Sequence, residues 1–203
     1  MVSAGLYSIK PWFVRSLRGV EDLLVAAGVT ANAISLMAVV VSAAAGAAIA
    51  VGGITGAHAL WFAVPPLCFV RIALNALDGS IARRSRSETP MGVVFNELGD
   101  RLSDVLLIGS LVFVVTPVLA LASLSTTLIV SVLGLLATMV NGRRDNAGPV
   151  AKADRVGLVA AGALIASLTA STVPFDLVSW VLVGGGLVTV AARIRRMKKG
   201  ASR

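Results

Sequence analysis

Three long stretches almost free of charge decide what this chain can fold into. Leu23 to Val70 and Val105 to Gly142 contain no Asp, Glu, Lys or Arg, and Val156 to Ala192 contains only Asp176. A helix needs about 20 apolar residues to cross a bilayer, so each stretch holds two crossings and a turn. Chain breakers lie near the middle of each: Gly52-Gly53 with Gly56, then Pro117, then Pro174. The expected fold is all-α and integral to a membrane. Six transmembrane helices are expected near 31–51, 57–77, 94–116, 119–141, 155–173 and 177–197, in three hairpins. The short alternating segments of a transmembrane barrel are not seen. With 57% hydrophobic and 14% charged residues, an ordinary soluble domain is excluded. The chain reads as one domain, 1–203. Residues 1–27 form a surface helix and lead-in, 28–197 the bundle, and 198–203 a basic tail.

Charge sets the expected orientation. All 18 Lys and Arg lie in the N-terminal segment, in 71–101, in 143–155, or after Ala192, and none lies in the three outer turns. With six crossings every basic cluster falls on one side. The positive-inside rule makes that side cytoplasmic, and both termini and any site among these clusters go with it. The protein is expected in the cytoplasmic (inner) membrane. The net charge of +8 is then explained by orientation and by attraction to anionic membrane lipids, without a nucleic-acid partner. The tail "RIRRMKKGASR" from Arg193 is given to that role. The segment "YSIKPWFVRSLRGVEDLLVAAGV" places Ile9, Trp12, Phe13, Leu17 and Val20 on one helical face, with Lys10, Arg18, Glu21 and Asp22 elsewhere. It reads as an N-terminal amphipathic interfacial helix, with Trp12 at headgroup level. A signal peptide is not expected, since the first twenty residues lack an apolar core and a small-residue cleavage site. A single cysteine, Cys68, excludes an intrachain disulfide.

Against this apolar background, "NALDGSIARRSRSETPMGVVFNELGD" at 75–100 is conspicuous. Asn75 and Asp78 are three apart, and Gly92, Asn96, Asp100 and Asp104 follow at steps of four, so each set shares a helical face. An antiparallel pair of helices brings the two faces together at a membrane–water boundary. Oxygen donors so concentrated suit a hard divalent cation such as Mg2+ or Mn2+, and such an ion commonly accompanies phosphate. Gly79 and Gly92 leave room for a ligand beside the backbone, and Arg83 can hold a phosphate oxygen or a carboxylate. A loop of solvated charges at two helix ends is the plainer reading. Ionisable stripes inside membrane helices are costly, however, and usually functional.

The spacing resembles that of the CDP-alcohol phosphotransferases, also called CDP-alcohol phosphatidyltransferases. Their pattern is Asp, Asp-Gly three residues on, Ala-Arg after two more, then eight residues, Gly, and two Asp at steps of four. This chain has Asn75, Asp78-Gly79, Ala82-Arg83, eight residues, Gly92, Asn96 and Asp100. Every spacing agrees, and the two mismatches are both Asp to Asn. The stretch "VTANAISL" at 29–36, containing Asn32, is similar to the family's first-span lead-in, and "NALDG" with "NELGD" looks like a little-characterised bacterial branch. The resemblance implies transfer of a phosphatidyl group from CDP-diacylglycerol to a polar alcohol acceptor, with release of CMP. It implies metal ligands at Asn75, Asp78, Asn96 and Asp100, with Asp100 also the catalytic base. Asn32, Asp78, Gly79, Ala82, Arg83 and Gly92 are implied to bind the nucleotide donor.

Asparagine ligates through its carbonyl oxygen but supplies no charge, so the expected metal set falls from four negatives to two. One or two ions remain open, with Glu97 and Asp104 as auxiliary ligands. In the second polar segment, "NGRRDNAGPVAKADR" at 141–155, the basic residues Arg143, Arg144, Lys152 and Arg155 either fix topology or, by the resemblance, bind a phosphate on the acceptor. Arg71, well inside the second span, either pairs with Asp100 or Asp104 or faces a polar cavity. His58 is read as an interface residue. The small residues at Gly184–Gly186 and Ala44–Ala48 suit close helix packing, within the bundle or in a homodimer. Three rival functions are transfer from a soluble CDP-alcohol to diacylglycerol, lipid-nucleotide binding without catalysis, and transport. Acids crowded at one end of the spans disfavour a path across the bilayer.

Overall fold

The structure, a computed structural model, describes residues 10–85, 89–142 and 148–201. Its helices are α1 (Lys10–Ser16), α2 (Arg18–Ala26), α3 (Ala31–Thr55), α4 (Val64–Arg84), α5 (Pro90–Gly109), α6 (Pro117–Asn141), α7 (Lys152–Thr169) and α8 (Val173–Ala201). Short 3-10 turns, His58–Ala63 and Ser110–Phe113, precede α4 and follow α5. No strand occurs among the described residues. Local chemistry sets the boundaries. The Thr30 hydroxyl accepts from Ala33 N at 3.2 Å and opens α3, which stops where Gly56 takes a left-handed φ of 71°. Thr89 caps α5 through Gly92 N at 3.0 Å, with Pro90 as first helical residue. Ala151 N donates to Asp154 Oδ2 at 3.0 Å and opens α7.

Four helical segments are long and apolar enough to cross a membrane: Ala31–Thr55, His58–Arg84, Pro117–Val140 and Val173–Lys198. The chain is a multi-pass membrane protein. The helices α5 and α7 fall outside this group. Glu97, Asp100, Arg101 and Asp104 lie on the first, and Lys152, Asp154 and Arg155 open the second. The six helices α3 to α8 close a ring in the order α3, α5, α6, α8, α7, α4.

The expected turn at Gly52-Gly53 is displaced to Gly56, because both glycines are packing positions inside α3. A Cβ on Gly52 would strike the Trp61 indole, and one on Gly53 would meet the Phe113 carbonyl oxygen at 2.6 Å. The N-terminal segment is two short helices rather than one, broken at Leu17. Phe13 packs edge-on against Phe69 of α4 with ring centroids 5.8 Å apart. Trp12 and Leu23 are exposed, whereas Glu21, expected on the polar face, is buried. Its helix is drawn to the end of α4 by Arg84, which bonds Asp22 and lies 3.9 Å from Glu21. Ile9 lies outside the described residues.

The apolar core fills one end of the ring. Trp61 donates to Ile49 O at 3.2 Å and meets Phe175 edge-on at 5.1 Å, while His58 stacks on Trp61 at 4.6 Å. Leu107, Leu111, Val159 and Leu182 complete this core. A smaller cluster of Ile34, Leu77 and Ile81 seats α2 at the other end. There α4 and α5 each pack along α3 without comparable packing against each other.

Candidate active site

Beside these two helices lies a cavity of about 460 Å3. The C-terminal half of α4 contributes Asn75, Asp78, Gly79 and Arg83. The N-terminal half of α5 contributes Asn96, Asp100 and Arg101. Opposite them stand Ser131 of α6, Lys152 and Arg155 of α7, and Arg193 of α8, while Phe13 and Phe69 give one wall an apolar surface. All four expected metal-ligand positions therefore line one cavity. The helical steps of three and four put them there.

The site is held by directed bonds. Asp78 is buried and its Oδ1 accepts from Gly79 N at 2.5 Å. Gly79 also leaves room for Arg83, whose Nη1 lies 3.4 Å from where a Cβ would stand. Asp100 is buried, and Lys152 Nζ donates to its Oδ1. Asn96 Oδ1 lies 3.3 Å from Ser35 Oγ on α3. Next to the cavity a buried network links four helices. Arg71 Nη2 donates to Asp104 Oδ1 at 2.6 Å, and Arg155 Nη2 donates to Asp104 Oδ2 at 3.1 Å and to Ser131 Oγ at 3.0 Å. Arg155 Nη1 also reaches Thr127 O at 3.3 Å.

These bonds redistribute the expected roles. Arg71 pairs with Asp104, one of its two expected partners. Both Asp104 oxygens are engaged by guanidinium groups, so the structure gives this acid to the arginines instead of to an auxiliary cation position. Glu97 pairs with Arg101 along α5 at 2.7 Å. Ala82, Gly92 and Asn32 are not among the cavity walls. Gly92 and Asn32 are nevertheless neighbours, since a Cβ on Gly92 would lie 3.8 Å from Asn32 Oδ1. Arg143 and Arg144 lie outside the described residues. Arg193, assigned by sequence to the orienting tail, is buried in the cavity wall, and its Nη1 donates to Val130 O. The overlooked signal is its spacing: it stands four residues after Thr189, a buried position on the same face of α8.

The donor set consists of two carboxylates and two carboxamides. Its oxygens are the kind magnesium and manganese take. Among the described residues no three Asp, Glu, His or Cys side chains gather as a metal-holding group, which follows from amides standing at two of the four positions. Arg83, Arg101, Lys152, Arg155 and Arg193 outnumber the two cavity acids. Such a surround favours a ligand with several negative charges.

The comparisons fit this chemistry. A family model described as CDP-alcohol phosphatidyltransferase matches residues 28–192. Inner membrane protein YnbA of Escherichia coli (strain K12) is 38% identical over 152 residues, 74% of this chain and 74% of that protein. Among solved structures, Mycobacterium tuberculosis phosphatidylinositol phosphate synthase (PgsA1) in complex with manganese and citrate superposes with a TM-score of 0.71. The match has 19% identity and covers 89% of this chain and 88% of that one. The same synthase with CDP-DAG bound gives a TM-score of 0.70 at 20% identity, covering 91% and 92%.

Proposed function

Since the chain belongs to the CDP-alcohol phosphatidyltransferase family, we propose that it transfers a phosphatidyl group from CDP-diacylglycerol to a hydrophilic alcohol, releasing CMP, with dependence on Mg2+ or Mn2+. The observation that carries this reading is the single cavity. It puts the four motif positions of α4 and α5 opposite Lys152, Arg155 and Arg193. CDP-DAG and manganese in the similar synthase structures support donor and metal alike. Asp78 and Asp100, with the amide oxygens of Asn75 and Asn96, would hold the ion, which would supply positive charge against the pyrophosphate and the CMP leaving group.

The remaining steps belong to the chain. Asp100 takes the proton of the acceptor hydroxyl as its oxygen bonds to the lipid-bearing phosphorus, and the pyrophosphate P–O bond to CMP breaks. Gly79 and Arg83 form the nucleotide side of the cavity. Lys152, Arg155 and Arg193, with Arg143 and Arg144 nearby in sequence, form the acceptor side and suit an acceptor that carries a phosphate. In the membrane, α5 and α7 complete six crossings with the site on the cytoplasmic face. The N-terminal helices lie along the interface, Trp12 outward. The whole chain is one catalytic domain.

An acceptor screen tests this reading. Purified protein is given CDP-diacylglycerol, Mn2+ and a panel of plain and phosphorylated alcohols, and products are read by lipid mass. A new phospholipid is expected, formed fastest with a phosphorylated acceptor. Products formed only from a soluble CDP-alcohol and diacylglycerol would reverse donor and acceptor.

A further inference from the structure

The four expected metal-ligand side chains in the cavity carry only two negative charges, and Lys152 bonds one of them, Asp100. This inference rests on the reading of the cavity as a phosphatidyl-transfer site. The neighbouring acids do not make up the deficit. Glu97 is bonded to Arg101 at 2.7 Å, and Asp104 is shared between Arg71 and Arg155. Lys152 is about one-third exposed (33%), Asp100 is buried, and the ammonium donates to Asp100 Oδ1. A pair of divalent ions here would place four positive charges beside that ammonium, against two carboxylates. Like charges so close in a partly desolvated cavity repel strongly. One divalent ion adds half as much positive charge to a cavity already lined by Lys152, Arg83 and Arg193, and a pyrophosphate donor can offset it.

We propose that this site binds one divalent cation per chain, between Asp78 and Asp100, and that the Lys152 ammonium supplies positive charge in place of a second ion. The asparagines and the lysine then form one adaptation. The amides lower the negative charge of the pocket, and the lysine takes up part of what remains. Lys152 is a positioning residue for Asp100 and for the charge of the bound ion.

Mn2+ titration of the full-length protein in detergent, alone and with CMP, tests the proposal by calorimetry and by the electron paramagnetic resonance of free Mn2+. The expected stoichiometry is one ion per chain in both conditions. Lys152→Met removes a like charge beside the ion and should tighten Mn2+ binding several-fold, while Lys152→Arg should stay near wild type. Two ions per chain of similar affinity in the wild-type protein would overturn the proposal and leave the transferase reading intact. Unchanged Mn2+ affinity in a Lys152→Met protein with wild-type thermal unfolding would remove the lysine from the cation site. If that variant does not fold, the wild-type stoichiometry still decides. Absence of Mn2+ binding with and without CMP would overturn the proposal and the metal-dependent reading together.

Discussion

At the scale of single residues, the proposed chemistry falls to Asp100. It lines the cavity, is buried, and is the acid that meets Lys152 from across the site. Asp100→Asn removes a cation ligand and a proton acceptor at once. Transfer should fall by about 10²-fold or more, in line with loss of a general base; a variant with near-normal turnover would displace Asp100 from its role. The asparagines make an opposite prediction. Asn75→Asp and Asn96→Asp each add a negative charge beside the cation, so Mn2+ affinity in nucleotide-free protein should rise several-fold in calorimetry. Unchanged affinity would mean that these side chains do not face the ion. Much of this was legible in the sequence, because helical steps of three and four dictate which side chains share a face. The engagement of Asp104 was only half legible. Arg71 was within reach by its depth in α4, but Arg155 lies 51 positions away in sequence, and no local pattern joins the two.

At the scale of helices, the charge-free runs located α3, α6 and α8 to within about four residues, whereas α4 (Val64–Arg84) runs past the expected 57–77 into the polar segment. The helices α5 and α7 were legible as helices, but their charged residues keep them out of the group apolar enough to cross a membrane. Glycines were the harder problem, since the same residue can end a helix or let another helix approach. Gly56 does the first, and Gly46, Gly52 and Gly53 do the second. A Cβ on Gly46 would strike the backbone oxygen of Leu106 in α5. Gly46→Ala should therefore lower stability by about 1–3 kcal/mol, the usual cost of overpacking. Gly184→Ala is the control, because nothing lies within 4 Å of its Cβ position. Thermal unfolding in detergent should show a lower midpoint for the first and an unchanged one for the second. Equal midpoints would mean that α3 and α5 do not approach as closely as described. The run Gly184–Gly186 serves packing at only two of its three positions, against Val150 and Thr126.

At the scale of the whole molecule, an apolar core closes one end of a six-helix ring and a charged cavity occupies the other. Asp104 joins them, with Arg71 from α4, Arg155 from α7 and, through Arg155, Ser131 and the Thr127 carbonyl of α6. Removing a buried partner leaves charges uncompensated, at about 3–5 kcal/mol. Asp104→Leu should thus destabilise the fold far more than Glu97→Gln, whose ion pair with Arg101 lies along one helix. Similar unfolding midpoints for the two variants would show that Asp104 does not hold the ring together. The arrangement places the motif positions and the basic residues of α7 and α8 around one cavity, and the proposed function depends on that meeting. Its most direct measurement is release of labelled CMP from cytidine-labelled CDP-diacylglycerol by the purified protein. The account predicts release that requires both Mn2+ and an alcohol acceptor and is lost in Asp100→Asn. Release no higher than that of Asp100→Asn with every acceptor, from protein that still binds the labelled donor, would contradict it.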